Sequence, residues 1–292
     1  MGNFLEPEED RLFFLDINNL LVKLSDRQKA EFSWICAVRS LPFISIYNFG
    51  YCHDERFNYY MSDCWNEKNL HNMLFSFLWS LDLSLSKLID LSGINKQIHE
   101  ADVYNTTEHL VAHVEYHKML TKENADAAAY AAQAISYFTH TTFYMENQKN
   151  LAEHSSPEGT KKRADIINDS AIVTAKNTRA AFAAYHNSEY KRGYILDRLQ
   201  GLLYSDINRI YRNEKGFLAD FDVYEGRWTG FLDDLNSLGC RYWAKLYNNL
   251  FNNNFIIDIE RLKLRLKMPD DLKYEGAAVT GKWFEKSEKG VL

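Results

Sequence analysis

An alanine-rich stretch from about Val103 to Tyr211 constrains the fold of this chain more than any other feature. Alanine has the highest helix propensity and a very small side chain, so alanine-rich helices form readily and can pack closely. Apolar residues within the stretch recur at steps of three or four residues, which is the period of one helix face. The stretch therefore predicts a stack of three or four antiparallel helices, in a bundle or solenoid-like core. Two such stripes are Ala164, Ile167, Ala171, Ala175, Thr178, Phe182 and Tyr185, and then Ile195, Leu199, Leu203, Ile207 and Ile210.

Local signals place helices before this core. Ser25 followed three residues later by Gln28 is a capping box, and Pro42 ends the helical pattern that follows near Ser40. Helical patterns also run from Glu67 to about Asp90 and from about Asn95 to Leu120. Residues 43–66 are aromatic-rich and irregular, which indicates a long connection.

Further signals divide the alanine-rich stretch itself. Thr121 is placed to cap the next helix, and Ser156 followed by Pro157 marks the start of another. The first of these two helices begins with a cluster of small residues, namely Ala125, Ala127, Ala128, Ala129, Ala131, Ala132 and Ala134.

After Gly216 the sequence becomes rich in aromatic residues that follow a helical spacing. Residues 255–266 fit either a short strand or a helix over 260–267, and Pro269 ends that segment. The expected fold is all-α, an antiparallel helical bundle or solenoid-like stack with aromatic-rich C-terminal helices. We expect one helical domain over 1–292. It can be subdivided into an N-terminal helical part (1–93), an alanine-rich core (94–213) and an aromatic-rich C-terminal part (214–292).

Composition narrows the class of function. The chain has 292 residues and a net charge of −6, which argues against duplex nucleic acid as a partner. No apolar run approaches the length of a membrane span, and the first residues lack the layout of a signal peptide, so we expect a cytoplasmic protein without a membrane partner. The four cysteines form no CxxC pattern, which fits a reducing compartment.

A ladder of three histidines, His109, His113 and His117, is the first candidate site. A spacing of four residues places each about 6 Å further along a helix and about 40° around it, so two neighbours could share a metal ion. The outer pair, His109 and His117, would lie about 12 Å apart along the helix and could not share one ion. The alternatives are the edge of a helix contact, which we favour, and a zinc site of a metal-dependent hydrolase. Its further ligands would come from His99, Glu108, Glu115, His140 or His154.

Arg179 and His186 are a second candidate, as a catalytic pair. Their spacing resembles the Arg-x4-6-His motif of HEPN-type ribonucleases, which implies proton transfer by His186 and phosphate binding by Arg179. Ala180 follows the arginine, where that family usually has a polar residue. A structural pair on one helix face is the competing interpretation.

A broader resemblance rests on short motifs in order along the chain. They are Ala37 to Pro42, the alanine-rich middle, Leu196 to Leu199, Tyr242-Trp243 with Tyr247, and Met268-Pro269 with Gly276. Together they resemble a poorly characterised group of alanine-rich, all-helical bacterial proteins. The resemblance implies an all-α fold, a bacterial cytoplasm and a role among accessory or conflict-related proteins, and it supplies no catalytic residue.

The aromatic content is high enough to suggest residues at a protein interface, although core packing accounts for most of them. The chain has 18 Tyr, 18 Phe and 6 Trp, and such side chains are enriched in protein interfaces. Phosphate loops, nucleophile elbows and dinucleotide fingerprints are absent from the sequence. We therefore expect a non-enzymatic helical component that binds another protein or itself in a bacterial conflict or antiviral defence system. We expect no cofactor, with zinc at the histidine ladder as the alternative.

Overall fold

The computed structural model describes residues 7–46, 67–89, 125–151, 157–186 and 189–290. Within these ranges the chain forms ten α-helices and three short 3₁₀ helices, and it forms no strand. The all-α prediction is therefore confirmed. The 3₁₀ helices are Leu41–Ile46, Asp222–Tyr224 and Asp270–Glu275. The α-helices are α1 (Pro7–Leu21), α2 (Asp26–Ser40), α3 (Glu67–Ile89), α4 (Ala125–Leu151), α5 (Pro157–Tyr185), α6 (Glu189–Tyr211), α7 (Arg227–Ser237), α8 (Arg241–Asn252), α9 (Ile259–Leu266) and α10 (Gly276–Glu288).

Helix α2 lies at the centre of the fold. It begins with the predicted capping box, in which the Ser25 hydroxyl accepts from the Gln28 backbone N–H and the Gln28 side chain accepts from Ser25. Every residue from Phe32 to Ser40 is buried, on all faces of the helix. A helix that is buried on all faces must be covered by several neighbours. Helices α4, α5 and α6 pack against it.

The most extensive helix contact joins α4 and α5, the two alanine-rich helices. Six alanines of α4 are buried, and Ala171 and Ala175 of α5 have no exposed surface. Because these side chains end at Cβ, the two backbones can approach closely over a long contact. The predicted stripes of α5 and α6 face the core, including Ile167, Phe182 and Leu199.

Helix α3 packs against α4 and is also covered by the C-terminal helices. Helix α10 packs along α3, while α9 contacts both α3 and α10. The segment that was ambiguous between strand and helix is helical over Ile259–Leu266, capped by the Asp258 side chain on the Arg261 N–H. One cluster of buried apolar side chains includes residues of all ten helices named above. No helix in the described ranges is long and apolar enough to cross a membrane.

Candidate functional site

The connection between α6 and α7, residues 212–226, is held in place by three arginines. Arg209 donates from Nε to the Gly216 carbonyl at 2.9 Å and from Nη2 to the Lys215 carbonyl at 3.0 Å. Arg39 of α2 donates from Nη2 to the Leu218 carbonyl at 2.9 Å. Charge-assisted hydrogen bonds of this kind are stronger than neutral ones, so the backbone of this connecting segment is fixed although most of it is not helical.

A third arginine fixes the acidic part of the connecting segment. Arg198 of α6 pairs with Asp220 at 2.7 Å and with Asp222 at 3.0 Å. Its guanidinium carbon also lies 5.5 Å from the centre of the Tyr194 ring. Helix α6 thus supplies two of the three arginines, and α2 supplies the third.

This fixed segment presents apolar side chains to solvent. Leu218 is 46% exposed and Phe221 is 55% exposed, and Ile256, from the loop after α8, is 52% exposed. The two loops touch, because the Phe217 N–H donates to the Asn254 carbonyl at 2.6 Å. We call Leu218, Phe221 and Ile256 the apolar platform. Apolar side chains that are exposed together mark protein-binding surfaces, whereas single exposed ones are common on any protein.

The aromatic core supports the platform from below. The Phe221 ring meets the buried Phe251 ring edge-on at 4.4 Å between centroids. Phe251 in turn stacks on Trp228 at 4.1 Å and contacts Phe255 at 5.3 Å. The exposed part of Phe221 therefore belongs to a side chain whose position is fixed by packing.

Gly216 makes the contact between the two loops possible. Its φ is +74°, a conformation that residues with a side chain rarely adopt. A Cβ at this position would lie 2.8 Å from the Asn254 carbonyl oxygen and 3.0 Å from the Ile256 side chain. Only glycine allows the backbone of the connecting segment to approach Asn254 and Ile256 this closely.

A buried ion pair anchors Arg39 beneath the platform. Arg39 donates to Asp206 of α6 through Nε at 2.9 Å and Nη2 at 2.8 Å, and both side chains are fully buried. Burial disfavours the charged guanidinium, but Asp206 and Tyr224 together hold the Arg39 pKa above its ordinary value. Burial raises the pKa of Asp206, and Arg39 opposes that rise. The pair joins α2 to α6. It also orients the Arg39 guanidinium so that Nη2 donates to the Leu218 carbonyl.

A second buried pair lies next to a small cleft. Arg265 of α9 binds both carboxylate oxygens of Asp82 of α3. Both side chains line a cleft of about 40 Å³ whose other walls are mostly apolar, including Trp34 and Leu250. A cavity that holds a benzene ring is near 150 Å³, so this cleft is too small for an aromatic ligand. We assign this pair a structural role in joining α3 to α9.

The structure places Arg179 and His186 in different surroundings, and both are nearly buried, at 5% and 3% exposure. The Arg179 guanidinium lies 4.8 Å from the centre of the Phe13 ring of α1 and donates to the Leu196 carbonyl. His186 instead binds Glu225 of the connecting segment. A scissile phosphate could reach these two side chains only after local opening of the fold.

His186 contacts the C-terminal end of the connecting segment. Its Nδ1 lies 3.2 Å from Glu225 Oε2, and Lys191 Nζ lies 3.5 Å from Glu225 Oε1. Burial lowers the pKa of His186 below its ordinary value of 6.5; Glu225 opposes this shift, and Lys191 and Arg192 add to it. Glu225 has a φ of +45°, which is unusual for a residue with a side chain.

His109, His113 and His117 lie outside the described residues, as do His99 and His154. Within the ranges that the structure describes, no group of three or more His, Cys, Asp or Glu side chains is placed to hold a metal ion. Zinc binding by the ladder therefore stays a prediction.

Sequence reasoning did not find the platform. Leu218, Phe221 and Ile256 follow no period that separates them from core residues, and their exposure depends on the approach of two loops distant in the chain. The sequence feature that could have pointed to it is Gly216, together with the aromatic-rich sequence that follows. A glycine in an irregular segment often marks a close approach of two backbones.

Protein-family models, curated proteins and solved structures gave no match to this chain.

Proposed function

We propose that this protein is a non-enzymatic helical component that binds another protein, or a second copy of itself, through the apolar platform. The observation that carries the proposal is the combination of exposed apolar side chains with a backbone fixed by Arg39, Arg198 and Arg209. Its role as an accessory, immunity or regulatory component of a bacterial conflict or defence system is the part of the proposal that rests on the sequence resemblance.

The rigid support favours binding in thermodynamic terms. Association loses free energy when a loop must be ordered, and a loop that is already ordered avoids that loss. An apolar or aromatic side chain held in a fixed position is also the usual form of a binding hot spot. Phe221 has these properties, because half of it is exposed while its ring is packed on Phe251.

The platform is the centre of an interface rather than all of it. A stable protein interface buries about 800 Å² on each partner, which is more than three side chains supply. Exposed charges of both signs adjoin these residues in the chain or by contact: Asp222 follows Phe221, Arg198 pairs with Asp222, and Asp258 lies two residues after Ile256. A polar rim around an apolar centre is the common arrangement in protein interfaces.

A matched pair of variants tests the proposal. Leu218→Ser combined with Phe221→Ser removes the apolar surface, while Val279→Ser changes an exposed apolar residue of α10 outside the platform. The partner arm co-expresses each form with the products of the genes that neighbour its own and measures co-purification. The self-association arm measures the sedimentation coefficient over a range of concentrations.

The expected result is binding in one arm that the double variant loses and Val279→Ser keeps. Retention of that binding in the double variant would overturn the proposal. So would a strict monomer that binds none of the neighbouring gene products.

A further inference from the structure

The C-terminal end of the connecting segment lies outside the apolar platform and is held by its own side-chain contacts. Glu225 is the last residue before Gly226, the N-cap of α7, and it lies four residues after Phe221. Its carboxylate is held by the imidazole at the end of α5 and by Lys191 of α6. Glu225 is also the left-handed C-cap of the 3₁₀ helix Asp222–Tyr224, where its N–H donates to the Asp222 carbonyl, and the two side-chain contacts fix its carboxylate in addition.

His186 can make this contact well in its neutral form. With the proton on Nδ1, the imidazole donates to Glu225. Its Nε2 is buried and makes no hydrogen bond with any described residue. Protonation would place an N–H at this buried nitrogen, for which no described residue offers an acceptor, and a buried unsatisfied donor is destabilising.

The charges around His186 come from two elements. Glu225 of the connecting segment faces Nδ1 and favours the protonated form, whereas Lys191 and Arg192 of α6 disfavour it. Arg192 also donates from Nε to the His186 carbonyl at 3.2 Å, so it fixes the end of α5 whatever the charge of the imidazole. The Tyr185 ring meets the imidazole edge-on at 4.9 Å.

We propose that His186 and Glu225 form an acid-sensitive latch, which holds the C-terminal end of the connecting segment, four residues after Phe221 of the apolar platform. The regulatory meaning of the latch rests on the proposed function of the platform. Above pH 6.5 the imidazole is neutral and the latch is closed. Acidification favours an open state in which the imidazole reaches water and Glu225 is released.

The direction follows from proton linkage. The closed state has a His186 pKa below 6.5, and the open state has the ordinary value. The open state therefore binds more protons below pH 6.5, and the stability of the closed state falls as the pH decreases through this range. The fall ends when the pH passes below the pKa of the closed state.

Hydrogen exchange of the protein alone tests the latch. Protection factors of the amides in 221–226, corrected for intrinsic exchange rates, should fall by up to about tenfold per pH unit below pH 6.5. In His186→Gln the carboxamide can still donate to Glu225 but does not titrate, so we expect protection to be independent of pH. A wild type without pH dependence, or His186→Gln with the same dependence, would overturn the latch.

Two further variants separate the latch from a simple structural contact and do not depend on the folding of His186→Gln. Glu225→Gln removes the charge that favours protonation, so the fall should extend to lower pH. Lys191→Ala removes a charge that disfavours protonation, so the fall should be smaller. Shifts in the opposite directions would contradict the proposal. Because no partner is present, this result is independent of whether the platform binds a protein.

Discussion

Arg39 connects the core to the surface through one side chain. Its guanidinium binds Asp206 in the interior and the Leu218 carbonyl below the platform, and it lies 5.1 Å from the centre of the Phe255 ring. A buried ion pair contributes little net stability compared with an apolar pair of the same shape, but loss of one partner leaves a buried charge. Its chief role here is therefore to fix geometry.

Arg39→Leu should lower the free energy of unfolding by about 3 to 5 kcal/mol, because Asp206 is left buried without a partner. Arg39→Leu combined with Asp206→Leu should recover most of that loss. Urea unfolding of the three proteins measures both effects. A loss below about 1 kcal/mol in the single variant would show that the pair is not buried as described.

Gly216→Ala should be more destabilising than the same change at Gly226. Both glycines have positive φ, and alanine in that conformation costs about 1 to 2 kcal/mol. A Cβ at Gly226 meets open space, whereas one at Gly216 meets the Asn254 carbonyl at 2.8 Å. The difference in unfolding free energy between the two variants isolates the loop contact, and equal losses would contradict it.

Residue-level prediction from the sequence succeeded for local chemistry and not for tertiary contacts. The capping box of Ser25 and Gln28 involves residues three positions apart, so the sequence determines it. The surroundings of Arg179 and His186 depend on Phe13 and Glu225, which are distant in the chain. No helical period could have indicated those partners.

Helices are the scale at which the sequence was most informative. Alanine clusters and stripes of three and four residues predicted α4, α5 and α6, because propensity and burial favour the same structure there. The segment that became α9 was ambiguous, since eight residues are too few for periodicity to decide between helix and strand. The Asp258 cap and the packing against α3 and α10 decide it.

Ala175→Leu should test whether the small side chains set the close packing of α5. Ala175 has no exposed surface, so a larger side chain must displace its neighbours, at a cost of about 1 to 3 kcal/mol. Asp169→Leu on the exposed face of the same helix should change the unfolding free energy by less than about 0.5 kcal/mol. A similar effect of both substitutions would contradict the role assigned to the alanines.

At the scale of the whole molecule, two ion pairs between residues far apart in the chain make contacts that the sequence does not predict. Arg39 and Asp206 are 167 positions apart, and Asp82 and Arg265 are 183 positions apart. These two pairs join α2 to α6 and α3 to α9. The first pair also holds the arginine that binds the Leu218 carbonyl of the connecting segment, a contact that composition could not reveal.

The histidine ladder gives a prediction for the whole protein. We expect His109, His113 and His117 to hold no stoichiometric zinc, because two histidines of one helix do not complete a tetrahedral site. Elemental analysis of tag-free protein, and melting curves with and without a chelator, measure this. One zinc ion per chain, lost in His113→Ala, would favour the metal-dependent alternative.

Covalent carbene footprinting tests the central claim most directly. In dilute free protein, Leu218, Phe221 and Ile256 should label strongly, as their exposure requires. In the complex with a second copy or with a neighbouring gene product, labelling of these three residues should fall while that of Val279 is unchanged. Weak labelling of these residues in the free protein would contradict the assignment of this surface as the binding site. So would a complex in which other residues are protected while the platform residues stay labelled.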